Sequence, residues 1–146
     1  MQGRKLLHGG DYNPEQWLDR PDILAQDIEL MKKARVNTVT LGVFSWSVLE
    51  PEEGVFNLDW LADIIHNLYA NGIRTILATP SAARPAWLAH KYPEVRRVRA
   101  DRVRELYNRR QNYCYTSSIY REKVRVIDQK PVSYTHLRAH ETDSYL

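Results

Sequence analysis

Residues 38–51, TVTLGVFSWSVLEP, constrain the fold more than any other stretch of the chain. They open as a strand. Val39, Leu41 and Val43 are apolar, Thr38 and Thr40 suit a pleated backbone, and no charge occurs before Glu50. A strand buried on both faces reads this way, as in a parallel sheet covered by helices. The character then changes. Phe44, Ser45, Trp46 and Ser47 place two large aromatics and two hydroxyls where the strand should end. Ligands of parallel α/β proteins bind at the carboxyl ends of strands. An aromatic platform beside small hydrogen-bonding groups suits a sugar ring, with its apolar face and hydroxyl rim. The competing reading is that Phe44 and Trp46 cap a core, the usual fate of aromatics.

The rest of the chain repeats that grammar. Residues 6–12 read as a first strand ending in Gly9-Gly10, followed by a polar and aromatic loop, YNPEQW. A helix follows, with Asp19 as its cap, Pro21 and Asp22 in the first turn, and Leu24, Ile28 and Met31 as the buried stripe. Lys32, Lys33 and Arg35 fit its last turn. A second helix, capped by Asn57 or Asp59, carries Leu58, Leu61, Ile65 and Leu68, and Asn71-Gly72 stops it. Residues 73–78 form a third strand, closed by Thr79-Pro80-Ser81. Residues 85–89 suit one short helical turn, and 94–110 a long charged loop over the strand ends. Thr116, Ser117 or Ser118 caps a third helix with Ile119, Val124 and Ile127 inside.

A βα repeat of roughly thirty residues allows a doubly wound sheet or a (β/α)8 barrel. No G-x-G-x-x-G fingerprint follows a strand, which weakens nucleotide binding. Crowded strand ends favour the barrel. A whole barrel needs about 200 residues or more, and this chain has 146. The expectation is an α/β chain holding the first three βα units of an incomplete (β/α)8 barrel.

Composition removes other classes. A net charge of +3 with scattered basic residues argues against a nucleic-acid or membrane partner. One cysteine excludes an internal disulfide framework. No apolar run approaches the ~20 residues of a membrane span. The N-terminus lacks a signal-peptide pattern, so a cytoplasmic location is expected.

Four blocks now resemble one family in unbroken order. They are YNPEQW (12–17), GVFSWSVLEPEEGVFNLDWL (42–61), TPSAARPAWL (79–88) and RRQNYCYTSSIYRE (109–122). Together they resemble the opening of the family 42 glycoside hydrolases, the β-galactosidases, across residues 5–129. The F-S-W-x-x-L-E-P block also suits other barrel glycosidases, such as family 35 β-galactosidases or a β-glucosidase. The R-x-x-Y-C block narrows the choice. A non-catalytic carbohydrate-binding fragment is the reading from a different class.

The resemblance implies a barrel that hydrolyses terminal β-galactosides with retention. That chemistry uses two carboxyl groups about 5–5.5 Å apart. The family's two catalytic glutamates lie at the ends of the fourth and seventh strands, so this chain is expected to lack both and to be inactive by itself. Glu15 and Glu50 are read as structural hydrogen-bonders, and Glu52 and Glu53 as solvated turn charges. Arg110 matches an arginine that contacts galactose. Trp46, and more weakly Trp87, are expected to line the sugar site. Cys114 matches a cysteine that ligates zinc in some members. Three further ligands would be needed, so a structural zinc belongs to a longer parent and hydrolysis itself needs no cofactor. His8, His66 and His90 have no clustered partners in the sequence. The parent is expected to take a β-galactoside and to assemble as a homotrimer.

After Lys130 the character breaks. PVSYTHLRAHET, residues 131–142, resembles an in-frame translation of a sequencing adapter. The chain is therefore divided into 1–130, the barrel part, and 131–146, a non-native tail left out of fold reasoning.

Overall fold

The computed structural model describes residues 6–107 and 111–143, and in its last helix the side chains as far as Pro131, together with Ser133. In chain order the elements are β1 (Asp11–Tyr12), a 3-10 turn (Pro14–Gln16), α1 (Pro21–Lys33), β2 (Thr38–Leu41) and α2 (Trp46–Leu49). Then come α3 (Asp59–Ala70), β3 (Arg74–Leu77), a 3-10 turn (Pro80–Ala82), α4 (Ala86–Lys91), a 3-10 turn (Pro93–Val95) and α5 (Ser118–Asp143). The strands form one parallel sheet in the order β1-β2-β3. The chain divides into two compact units. Unit 1 is Met1–Gly42 with Asp59–Ala78, and unit 2 is Val43–Leu58 with Thr79–Leu146.

Unit 1 holds the sheet and the two long crossover helices, α1 and α3. Strand β2 is its centre. Thr38, Val39 and Leu41 are buried, as expected for a strand covered on both sides. Its register sets Thr40 opposite Asp11 and Ile76, and Leu41 opposite Tyr12 and Leu77. The first strand is shorter than the sequence suggests, because Leu6 and Leu7 are exposed. Backbone pairing nevertheless begins earlier. The Asn37 N–H donates to His8 O at 2.9 Å and the Thr40 N–H to Gly10 O at 2.9 Å.

Three further expectations are corrected at the ends of α1 and α3. Asp19 does not cap α1; Arg20 holds the N-cap position, and no side chain caps it. Arg35 lies beyond the last turn, in the left-handed conformation with φ 57°. Leu58 precedes α3, whose buried face is Leu61, Ala62, Ile64 and Leu68, with the expected Ile65 only half-buried. The helix pattern was right, but its apolar stripe is wider than one residue per turn. The stop at Gly72 is as expected: it takes φ 76°, the Gly72 N–H donates to Tyr69 O and the Ile73 N–H to Leu68 O.

Unit 2 contains the segments that follow the carboxyl ends of β2 and β3, together with α5. The segment after β2 does not stay extended to Val43. The chain turns at Gly42, φ 92°, and then coils into α2. The expected short turn after Pro85 is α4, with Pro85 as its N-cap. Helix α5 begins where the hydroxyl cluster predicts. Ser117 is the cap that acts, its Oγ accepting the Tyr120 N–H at 3.3 Å. Its buried side chains include Tyr120 and Ile127, while Ile119 and Val124 are half-buried. The helix continues past Lys130 with Pro131 in its interior.

Candidate carbohydrate-site framework in unit 2

The site is built on the turn after β2. Helix α2 is one turn long, and its backbone bonds bring Glu50 back onto Trp46, the Glu50 N–H donating to Trp46 O at 2.8 Å. The side chains of the same pair also meet: the indole N–H of Trp46 donates to Glu50 Oε2 at 2.8 Å. The other carboxylate oxygen, Oε1, accepts the Gly54 N–H at 2.9 Å. The Glu50 carbonyl accepts the indole N–H of Trp87 at 2.9 Å. Glu50 is only 3% exposed. A carboxylate removed from water needs such donors to offset its lost hydration. The expected structural role of Glu50 thus has a geometry: it ties α2, the following turn and α4 together.

Trp46, expected as a stacking platform, presents no surface to solvent and packs at 6.3 Å from the Tyr120 ring. Removing a ring buried this way costs about 3–5 kcal/mol. Trp87 is half-buried, with its N–H engaged on Glu50. From Trp46 the aromatics continue outward. Tyr120 stacks on Tyr113 at 4.6 Å, and Tyr113 meets Tyr115 edge to face at 5.2 Å. The Tyr120 hydroxyl donates to Ser81 O at 3.2 Å, and burial pushes its pKa up. Tyr115 is 70% exposed. The sequence showed the tyrosines of 113–120 but not the stack, because Tyr113 comes from a loop and Tyr120 from a helix.

Glu53 departs from its reading as a solvated charge. It accepts a hydrogen bond from Lys91, pairs with Lys123 at 2.7 Å, and takes the Tyr92 hydroxyl at 3.0 Å. These donors hold its carboxyl well below the usual range, at about 2, with Lys123 the largest cause. The lysines come from α4 and α5, distant in sequence, which is why the turn looked merely hydrophilic. Glu52 is exposed, as expected.

Arg110 lies outside the described residues. The rest of its motif is fixed from both sides. The Cys114 N–H donates to Val95 O at 2.7 Å, the Arg97 N–H to Asn112 O at 2.8 Å, and the Asn112 side chain to Leu106 O at 2.9 Å. Cys114 is a free, half-buried thiol with Sγ 3.1 Å from the Thr116 hydroxyl, which lowers its pKa. Among the described residues no three His, Cys, Asp or Glu side chains converge as metal ligands. The described residues offer Cys114 alone, short of the four ligands that a structural zinc takes. Of the histidines, His8 has its Nδ1 3.1 Å from Arg35 O, and His90 stacks on the Tyr107 ring at 4.6 Å.

In chemical terms, the unit 2 carboxylates Glu50 and Glu53 have both oxygens engaged by fixed donors, so neither is free to attack or to shuttle a proton. In unit 1, Glu15 follows β1, and burial raises its pKa. The described part of unit 2 is an aromatic and hydrogen-bonded framework. Among the described residues no helix is long and apolar enough to cross a membrane.

The family model described as β-galactosidase, glycoside hydrolase family 42, matches residues 11–139. The β-galactosidase GalA of Bacillus licheniformis is 63% identical over 124 residues, covering 85% of this chain and 18% of the relative. GanA of Bacillus subtilis is 60% identical over the same length. A solved family 42 β-galactosidase from G. stearothermophilus superposes with TM-score 0.81 at 63% identity, over 84% of this chain and 18% of that one. The cold-adapted enzyme of Rahnella sp. R3 gives TM-score 0.83 at 55% identity, over 86% and 19%. The chain thus spans less than a fifth of the length of the relatives it matches. The parallel sheet with its crossover helices is the opening portion of their barrel, and the chain belongs to glycoside hydrolase family 42.

Proposed function

We propose that this chain supplies the first part of a retaining β-galactosidase, and that residues 1–146 alone do not turn over substrate. The 63% identity to a β-galactosidase across 85% of the chain carries this reading. The acids of the strand-end turn support its second half: retention requires two carboxyl groups about 5–5.5 Å apart, and Glu50 and Glu53 are both held by hydrogen bonds. In this reading Arg110 contacts the galactose, since a guanidinium offers a planar fork of donors to ring hydroxyls. Trp46 serves the site from beneath, as the donor that holds Glu50. A trimeric, cytoplasmic parent, with zinc near Cys114 completed by residues beyond this chain, belongs to the same proposal and rests on the family resemblance.

The proposal also leaves residues 131–146 outside the barrel. Pro131 stands inside α5, where a proline removes a backbone donor and strains the helix by about 3 kcal/mol. One experiment tests both parts. Residues 1–130 are joined to the portion of the B. licheniformis relative that follows its matched segment. The chimera should hydrolyse a chromogenic β-galactoside and release β-galactose first, while the 146-residue chain gives background rates. A folded but inactive chimera would overturn the parent activity. Turnover by the chain alone would place a catalytic pair within it.

A further inference from the structure

Two guanidinium groups of unit 2 carry donors that nothing answers. Arg84 lies between the 3-10 turn Pro80–Ala82 and α4, flanked by the fully buried Pro80 and Pro85. Its Nε and Nη2 are closed to water and have no hydrogen-bond partner, and the same holds for Nε of Arg96. Arg96 is otherwise engaged. Its Nη1 donates to Glu105 O at 3.1 Å, and its Cζ lies 4.4 Å from the Tyr107 ring centre. The two cations feel each other: after burial, Arg96 is the next cause of the lowered Arg84 pKa.

Nε and Nη2 form one edge of the guanidinium plane, with two parallel N–H bonds that match the two oxygens of a carboxylate. The chain shows that match elsewhere. Arg20 donates from Nε to Asp22 Oδ1 at 2.9 Å and from Nη2 to Asp22 Oδ2 at 2.7 Å. At Arg84 the same edge is present and the carboxylate is not. Among the described residues three acids of unit 2 are engaged by other groups, Glu105 by Arg97 at 3.1 Å, Glu53 by the lysines and Glu50 by Trp46 and Gly54, while the buried, unpartnered Oδ1 of Asp128 makes no hydrogen bond to Arg84. Arg84 is half-buried as a whole, but its closed Nε–Nη2 edge carries charge that a neutral sugar hydroxyl would leave uncompensated.

We propose that Arg84 and Arg96 form a carboxylate-binding site. The ligand sets both oxygens on the Nε–Nη2 edge of Arg84 and takes a third donor from Arg96 Nε. Tyr107, 48% exposed and lying over Arg96, is the cover that swings aside to admit it. The carboxylate is either that of a uronic acid in a saccharide or that of an acidic side chain from the longer family protein. The inference does not depend on the galactosidase reading.

The test uses the full 146-residue chain with 15N-labelled arginine, titrated at constant ionic strength with acetate, D-galacturonate and neutral D-galactose. The Nε–H signals of Arg84 and Arg96, assigned with Arg84→Lys and Arg96→Lys, should move with both acids and not with galactose. A tighter response to galacturonate identifies the saccharide source, and equal responses identify the side-chain source. Arg84→Lys keeps the charge but removes the paired donors, so it should weaken binding about tenfold or more. If that variant misfolds, Arg96→Lys should still weaken binding in the same direction. The proposal fails if no signal moves, if galactose moves them equally, or if binding survives both substitutions. Uniform random-coil Nε–H signals before titration would also overturn it.

Discussion

At the scale of single residues, the two glycines before β1 look equivalent in the sequence and are opposites in the structure. A Cβ on Gly9 would sit 1.7 Å from the carbonyl oxygen of Thr38, which is backbone and cannot step aside. A Cβ on Gly10 would meet nothing within 4 Å. Gly9→Ala therefore has to push the His8–Gly10 backbone off β2, breaking the bonds from Asn37 and Thr40. Overpacking of this kind costs about 1–3 kcal/mol even where side chains can yield; here the upper end or more is expected. Gly10→Ala should change stability by less than about 0.5 kcal/mol. Urea unfolding of the two variants beside the wild-type chain decides this, and equal midpoints would contradict it. The sequence could mark a glycine pair but not this asymmetry, because the clash comes from a strand almost thirty residues away.

At the scale of elements, α1 and α3 end in the same way with different residues. Both close with the six-to-one and five-to-two bonds that follow a left-handed residue: Val36 N–H to Met31 O and Arg35 N–H to Lys32 O in α1, Ile73 N–H to Leu68 O and Gly72 N–H to Tyr69 O in α3. Glycine takes that conformation freely at 72, whereas Arg35 takes it at φ 57° against Cβ repulsion. Arg35→Gly should stabilise the chain by about 0.5–1 kcal/mol, after allowing for the greater freedom of glycine in the unfolded state. Gly72→Ala should destabilise it by about 1 kcal/mol, and its open surroundings make that a backbone effect alone. Opposite shifts in thermal midpoint are the expected outcome; shifts of the same sign would show that cap geometry is not the cause. Helix ends with glycine were legible in the sequence for this reason, and Arg35 was read as a last-turn cation because nothing in its type announces a positive φ. The stripe of α3 was legible from the spacing of Leu61 and Leu68; that of α1 was legible in part, since Ile28 is buried while Leu24 and Met31 are half-buried. Helix α2 was not, since four residues are too few to show a helical period.

At the scale of the whole molecule, the parallel βα order was legible because each strand carries its own apolar run and each helix its own stop, so the barrel class needed no tertiary information. The site framework was legible only in part. The local pair Trp46 and Glu50, four residues apart on one helical turn, was within reach of sequence reasoning. The bonds of Glu53 to α4 and α5, and the empty edge of Arg84, were not, because they depend on segments far apart in the chain. The two units should also differ in acid. Glu53 of unit 2 is held at about 2, below its ordinary 4.5, so its stabilising contribution is complete above about pH 4.5 and is lost as pH falls through about 2. Asp128 of the same unit has a pKa raised by burial, so it works the other way: its ionised form opposes folding, and that cost disappears on acidification. Glu15 of unit 1 is raised by burial in the same sense. Acid therefore removes an ion cluster and the Asp128 burial cost from unit 2, and from unit 1 only a charge-burial cost. Hydrogen exchange followed segment by segment from pH 5 to pH 2 should show α4 and the first turns of α5 losing protection, while β2 and α3 retain theirs. Glu53→Gln removes the titrating group and should lower the protection of α4 at pH 6 while flattening its decline below pH 4.5. An unchanged acid decline in that variant would show that Glu53 does not set the acid limit of unit 2.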